Sequence, residues 1–203
     1  MDKILKALGL IVTGGSLLAS AALPAAAAPY KVTDSAGVTK VHVDGSPSGS
    51  LAMTISLTQT KSVATTNCGW VRLSSSATRP VIGVSGIVSA NKAAIDSAAT
   101  GTPTCLKVSS GGYSDSHLQA NLLKDTSAVW VRGSSGVASV VYETTRSIKL
   151  NACGLGSVTV SATSPFDDFS LQGTPYKVST LTNKTAPNKC VKVGTTNITY
   201  GPI

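Results

Sequence analysis

Four cysteines are the residues of this 203-residue sequence with the clearest chemistry: Cys68, Cys105, Cys153 and Cys190. An even number of cysteines in an exported chain is typical of disulfides. Four cysteines allow three pairings, and the spacing must choose among them. Structural zinc sites usually contain close pairs such as Cys-x-x-Cys, and the sequence has none. We therefore expect disulfides, with no metal and no cofactor.

An internal duplication selects one pairing. The first two cysteines and the last two are each 37 positions apart, and a shift of 85 carries the first pair onto the second. Without gaps, residues 61–108 share 13 identities with residues 146–193, among them Cys-Gly, Ser-Ala-Thr-x-Pro and Cys-x-Lys-Val. We predict one disulfide in each repeat, Cys68–Cys105 and Cys153–Cys190. In the chain-entropy model a loop of this size contributes about 4 kcal/mol.

Two tryptophans, Trp70 and Trp130, each begin a Trp-Val-Arg string. Their offset is 60 rather than 85, so the duplication does not explain it. An exposed tryptophan can stack on a sugar, and a neighbouring arginine can bind hydroxyls or carboxylates. Trp70 lies two residues from Cys68 and fits a core position beside the disulfide. Trp130 and Arg132 are therefore the candidate ligand contacts.

The adjacent acids Asp167 and Asp168 lie between two phenylalanines. Carboxylate oxygens suit calcium or sugar hydroxyls, so these two are further candidates for a ligand contact. Neighbours on a strand point to opposite faces, so only a loop would aim both at one ligand. The alternative is a solvated loop between two apolar anchors. The matching stretch of the first repeat has no acids, so such a site would belong to the second repeat alone.

Catalytic residues are scarce. His42 and His117 are the only histidines; they lie in different repeats, and the sequence has no Gly-x-Ser-x-Gly. A Ser-His-Asp site needs a nucleophile held by a turn and aimed at the histidine. We therefore predict that the protein is not an enzyme and has no catalytic residues.

The first 27 residues have the layout of a secretory signal peptide. Lys3 and Lys6 precede an interrupted apolar run, and a series of alanines follows it. The predicted product is secreted through the periplasm to a bacterial cell surface or the medium, with no membrane span after cleavage.

The net charge and the distribution of basic residues indicate which classes of partner to expect. The full chain carries +8, and the chain after residue 27 carries +7. The basic residues are scattered, whereas nucleic-acid binders concentrate them on one face or in a run, so we expect no nucleic acid. Weak attraction to polysaccharide or other anionic surfaces is consistent with this charge.

Alternating hydrophobicity predicts an all-β fold. It is clearest from residue 51 to residue 58, where Leu51, Met53, Ile55 and Leu57 should share one buried face. Together with the duplication, this predicts two tandem, similar β-sandwich domains of immunoglobulin-like or pilin-like type. Their predicted bounds are 28–115 and 116–203, joined by a flexible Gly/Ser-rich junction at 109–114.

A β-rich, disulfide-linked, exported chain of this composition is typical of fimbrial and surface-filament subunits. We expect self-association into a pilus, filament or surface layer through β-strand addition. The candidate donor strand contains Tyr30, Val32, Val38, Val41 and Val43. The alternative is a secreted carbohydrate-binding or adhesive β module.

Overall fold

The computed structural model describes residues 27–162 and 165–200. Strands dominate these residues, which contain one short α-helix and one 3-10 turn, so the all-β prediction is confirmed. The predicted signal at residues 1–27 lies outside the described residues, except for Ala27 at its end.

A five-stranded antiparallel sheet forms the centre of the molecule, with strand order β14-β13-β3-β11-β5. Its middle strands pair over fourteen consecutive residues. The strands are β3 (Ser50–Val63), β5 (Val81–Ser85), β11 (Gly136–Lys149), β13 (Asp168–Leu171) and β14 (Thr174–Lys177). This long pairing connects the first repeat to the second.

The two faces of β3 and β11 differ in composition as the period-two pattern predicts. Leu51, Met53, Ile55 and Leu57 are all buried on one face, which confirms that part of the prediction. The other face carries half-buried or exposed hydroxyl residues. They are Thr54, Ser56, Thr58, Thr60, Ser62, Ser139, Thr145 and Ser147. Much of the Ser and Thr content of these strands therefore lies on one open sheet face.

Two smaller sheets complete the cores. One has the order β1-β2-β12, and the other has the order β4-β10-β9-β6, in which only β6 and β9 are parallel. The first contains β1 (Ala27–Thr33), β2 (Thr39–Asp44) and β12 (Leu155–Val160). The second contains β4 (Trp70–Ser74), β6 (Ala99–Thr100), β9 (Leu122–Lys124) and β10 (Ala128–Arg132).

Two hydrophobic clusters form separate cores. One joins β2, β3 and β13 and includes the fully buried Val41, Val43 and Met53. The other joins β4, β5, β10 and β11 and includes Val131 and Val140. Helix α1 (Lys92–Ser97), capped by the Asn91 side chain, adds Ile95 to this second core, and the 3-10 turn (Val178–Thr180) adds Val178 to the first.

Two isolated hairpins carry the disulfides. They are β7 (Cys105–Lys107) with β8 (Tyr113–Asp115), and β15 (Lys189–Val193) with β16 (Thr196–Tyr200). The bridges join Cys68 to Cys105 and Cys153 to Cys190, the pairs that the duplication indicates. The expected junction at 109–114 is not a linker. It supplies the turn and the start of the second strand in the first hairpin, with Gly111 at a φ of +90°.

The sheet topology does not confirm two tandem sandwiches divided at residue 115. Each of the three large sheets contains strands from both sides of that boundary. The hairpin β1–β2 pairs with β12 of the second repeat, and the hairpin β9–β10 pairs with β4 of the first. Each repeat therefore contributes its leading hairpin to the other's sheet. Local sequence patterns cannot reveal this exchange. The alternation of apolar and polar residues in a hairpin would be equally compatible with pairing to its own repeat or to the other one.

The register of the central sheet follows the duplication. Leu57 lies opposite Tyr142, and these two positions are 85 residues apart. Phe169 lies opposite Ile55 just as Val84 lies opposite Val140, again with a shift of 85 in both members. The two repeats are thus arranged as an approximate twofold pair around the middle of β3 and β11.

The repeated Cys-Gly positions link each leading hairpin, β1–β2 or β9–β10, to the opposite repeat. The Gly154 carbonyl accepts a hydrogen bond from the Gly45 N–H at 2.8 Å, and the Gly69 carbonyl accepts one from the Gly133 N–H at 3.1 Å. Both Cys-Gly glycines have positive φ, 76° at Gly69 and 80° at Gly154. A Cβ at Gly154 would lie 2.0 Å from the Gly45 carbonyl oxygen, so only glycine fits there.

This exchange predicts that neither half of the chain folds alone as a monomer. Residues 28–115 lack β12, the partner of β2, and residues 116–203 lack β4, the partner of β10. We expect each half, expressed separately and oxidised, to be unfolded or dimeric by light scattering and circular dichroism, and the two together to form a 1:1 complex. Two cooperatively folded monomers would contradict the arrangement.

Candidate functional site

The two Trp-Val-Arg strings lie side by side on paired strands. In the antiparallel pairing of β4 with β10, Trp70 lies opposite Arg132 and Arg72 lies opposite Trp130. Each arginine stacks on the facing indole: the guanidinium carbon lies 4.5 Å from the ring centroid for Arg132 on Trp70, and 5.7 Å for Arg72 on Trp130. The spacing of 60 residues between the two strings therefore places each tryptophan opposite the arginine of the other string. The two resulting cation–π pairs contribute to the pairing of the strands.

Arg132 is held by a dense set of acceptors. Its guanidinium donates to the carbonyls of Cys68 at 2.9 Å, Ala120 at 2.8 Å and His117 at 2.9 Å. It also forms an ion pair with Asp115, the buried charged residue of the described chain. With these acceptors engaged, Arg132 ties the loop after β8 to the disulfide region and has little capacity left for a ligand.

Asp115 has partners on both carboxylate oxygens. The Trp70 indole donates to Oδ2 at 2.8 Å, and the His117 N–H donates to Oδ1 at 2.8 Å. Burial alone would raise the pKa of Asp115, but these hydrogen bonds and Arg132 outweigh it and hold that pKa below its ordinary value. Trp70 is 1% exposed, so its expected core position is the observed one.

Trp130 also uses its indole N–H inside the protein. It donates to Asp125 at 3.0 Å, and the same carboxylate accepts from the N–H groups of Ser127 and Ala128 and from the hydroxyls of Ser127 and Thr102. The hydrogen bond from Trp130, followed by those from Ser127, lowers the pKa of Asp125. The indole ring of Trp130 is half-buried, and Arg72 is exposed beside it, so this pair retains some accessible surface.

Asp167 and Asp168 lie elsewhere and make separate contacts. Asp167 accepts hydrogen bonds from the N–H of Ser179 at 2.7 Å and from its hydroxyl at 2.9 Å, which fixes the 3-10 turn. Asp168 forms an exposed ion pair with Lys177 at 3.2 Å on the β13–β14 hairpin. The structure records no contact that joins these acids to Trp130 or Arg132 among residues 27–162 and 165–200.

The histidines lie in different environments. His42 on β2 stacks on Tyr30, with ring centroids 5.3 Å apart, and its pKa is lowered first by burial and then by Lys40. His117 Nδ1 lies 2.7 Å from the Ser116 hydroxyl, and that hydroxyl oxygen accepts the Thr104 N–H. Both side chains therefore have local structural contacts.

The candidate donor strand is paired within its own chain. It forms β1 and β2, where Tyr30 is buried and its hydroxyl accepts the Asn188 N–H at 2.9 Å. Val41 and Val43 are fully buried in the first core, whereas Val32 is half-buried and Val38 is exposed in the turn. Only part of the segment is therefore available at the surface.

Exposed apolar residues on the two disulfide hairpins are a feature that our sequence analysis missed. Leu106 and Val108 are 62% and 38% exposed, and their counterparts after a shift of 85, Val191 and Val193, are 41% and 53% exposed. The signal was present in the repeated Cys-x-Lys-Val string, which matched because both hairpins share one design. The duplication has therefore preserved two similar apolar surfaces.

Removing Arg132 should be far more damaging than removing its counterpart Arg72. In Arg132→Ala the buried Asp115 carboxylate loses its ion pair, and we expect a loss of about 3 kcal/mol in the free energy of unfolding, measured in urea. The matched control Arg72→Ala, on the exposed pair, should lose less than about 1 kcal/mol. Equal losses in the two variants would contradict this assignment.

Asp125 should make the free energy of unfolding fall as the pH is lowered. Its folded pKa lies below the ordinary 3.8, so its contribution is complete above that value and is lost as the pH falls toward the folded pKa. Asp125→Asn should therefore show a smaller drop in unfolding free energy between pH 7 and pH 3 than the original chain. Asp168→Asn, at the exposed ion pair, serves as the control and should leave that drop nearly unchanged.

Among residues 27–162 and 165–200, no group of three or more His, Cys, Asp and Glu side chains could hold a metal ion. No helix in the described ranges has the length and apolar character needed to cross a membrane. No family model, curated protein or solved structure matches the chain.

Proposed function

We propose that this protein is an exported, non-catalytic structural subunit that assembles with further copies of itself into an extracellular filament or surface layer. The observation that carries the proposal is the pair of similar disulfide hairpins, each with exposed apolar side chains. The two disulfides are consistent with an oxidising compartment and hence with export.

The hairpins have the features of strand-addition sites. Each is a two-stranded sheet of its own in the strand order, so its outer backbone groups are not part of a larger ladder. Unpaired strand edges are templates for pairing with another chain. An isolated hairpin is marginally stable, and the disulfide anchors each one to the strand that follows Cys68 or Cys153.

Two such surfaces per chain allow an open assembly. If the β7–β8 hairpin of one copy meets the β15–β16 hairpin of the next, an assembly of any length retains one free hairpin at each end. A head-to-tail contact of this kind produces a ring when the rotation closes and a filament when it does not. If each hairpin instead bound only the same hairpin of another copy, and only one of the two hairpins took part, assembly would end at a dimer.

Lysines on the hairpins would regulate this contact. Lys107 and Lys192 occupy matching positions after the shift of 85, next to the exposed Leu106 and Val191. Bringing two copies together at these edges places like charges near one another. Salt screens exposed charges over about 10 Å at 0.1 M, so we expect assembly to increase with ionic strength.

The N-terminal strand is a less favourable donor than the hairpins. Donating β1 and β2 to another copy would expose Val41 and Val43 and break the bond between Tyr30 and Asn188. Adding a strand to a hairpin edge breaks no such contact. We therefore assign strand addition to the hairpins.

Carbohydrate binding is the second candidate, favoured by the half-buried indole of Trp130 beside the exposed Arg72. An accessible aromatic face can pack against a sugar. This function would be carried by a monomer, because it does not need the hairpins.

The test is the size of the mature protein at several salt concentrations, by light scattering with negative-stain imaging. We expect regular assemblies from the original chain, and a loss of assembly in the double variant Leu106→Lys, Val191→Lys, with unfolding free energy retained. The matched control is Val137→Lys, because Val137 is 60% exposed and lies outside the hairpins.

A monomer at every salt concentration would overturn the structural-subunit proposal. Binding of neutral glycans by that monomer, lost in Trp130→Ala, would then support the second candidate. Loss of assembly in Val137→Lys to the same extent as in the hairpin variant would remove the hairpins from the interface.

A further inference from the structure

We propose that a cavity on the inner side of the central sheet binds an oxyanion, such as a carboxylate, sulfate or phosphate group. The cavity has a volume of about 190 Å³ and is lined by Lys61, Ser74, Ser75, Ser76, Arg79 and Tyr142. This site is separate from the hairpins and does not depend on assembly.

Two cations converge on one aromatic ring at this cavity. Lys61 Nζ lies 4.9 Å from the centroid of the Tyr142 ring, and the Arg79 guanidinium carbon lies 4.2 Å from it. Both cationic side chains belong to half-buried residues, and Tyr142 is 2% exposed. The ring holds both cations at the edge of the cavity through cation–π attraction.

No carboxylate of the described chain neutralises this pair. The ion pairs of residues 27–162 and 165–200 involve other cations, namely Lys92, Arg132 and Lys177. Glu143 follows Tyr142 on β11, and consecutive strand residues point to opposite faces of a sheet. Two like charges near one ring repel each other, and a bound anion would relieve that repulsion.

The hydroxyl groups around the cavity favour a ligand that only accepts hydrogen bonds. The Ser75 hydroxyl oxygen already accepts the Val81 N–H at 3.1 Å, and that of Ser74 accepts from Arg72 at 3.3 Å. Their hydroxyl protons are therefore free to donate to a ligand. An anionic oxygen accepts hydrogen bonds without offering a proton in return.

Tyr142 supplies an independent indication of a missing partner. Its hydroxyl oxygen is buried and has no hydrogen-bond partner in the structure. Most buried polar side-chain atoms have a partner, and leaving one unpaired is costly. A small shift of the groups that cover this hydroxyl would let an oxyanion in the adjacent cavity accept its proton as well as those of the serines.

The second repeat does not carry the same set of residues. Under the shift of 85, Arg146 matches Lys61, Ser164 matches Arg79, and Leu57 takes the place of Tyr142. The ring and one of the two cations are absent there. The site is thus specific to the place where Lys61 and Arg79 of the first repeat meet Tyr142 of the second, and Arg146 is a matched control for a change of charge.

The experiment is an NMR titration of the intact mature protein with sodium sulfate and sodium acetate, at ionic strength held constant with chloride. We expect saturable shifts with at least one anion. Arg79→Ala and Lys61→Ala should each weaken that binding at least tenfold, and Tyr142→Phe about tenfold. Arg146→Ala should bind as the original chain does. If Arg79→Ala does not fold, Arg79→Gln replaces it.

The source of the oxyanion is distinguished by a second arm with dextran sulfate, polygalacturonate and uncharged dextran. Binding of a charged polymer at least tenfold tighter per charged group than the free ion indicates an acidic polysaccharide. Equal affinity per group indicates a small free anion. Absence of saturable binding by the original chain, or equal weakening in Arg146→Ala and Arg79→Ala, would overturn the proposal.

Discussion

The antiparallel pairing of β3 with β11 is the interaction on which the rest of the structure depends. It runs for fourteen residues, from Ser50 opposite Lys149 to Val63 opposite Gly136. One face of these strands supplies residues to both hydrophobic cores, and the flanking strands β13 and β5 attach to their outer edges. Because each strand comes from a different repeat, this pairing also brings each leading hairpin to the opposite repeat.

The polar residues most suggestive of a ligand site mainly stabilise the fold. Arg132 and Asp115 form a buried network beside the first disulfide, Asp125 organises the turn before β10, and Asp167 fixes a 3-10 turn. Polar side chains whose donors and acceptors are mostly engaged inside the protein have little capacity left for a partner. The surfaces with unused capacity are apolar hairpins and an unneutralised pair of cations, neither of which forms a familiar motif.

Several of these features could be predicted from residue spacing alone. The equal separation of the cysteines indicated the disulfides, and the alternation around Met53 indicated a one-sided buried strand. The exchange of hairpins could not be predicted. The shift that carries β2 onto β10 is 88 rather than 85, so Val41-His42-Val43 matches Val129-Trp130-Val131 only after a three-residue insertion. Alternating hydrophobicity identifies a strand and its buried face, but it does not say to which neighbouring strand that strand will pair.

The pairing of β2 with β12 also controls the order in which the molecule can become complete. Strand β2, which ends at Asp44, has its second sheet neighbour at Leu155–Val160, more than a hundred residues later in the chain. Contacts between residues so far apart form late and slowly, because a long loop must close first. During synthesis, the sheet that contains the N-terminal hairpin therefore cannot be completed until β12 has been made.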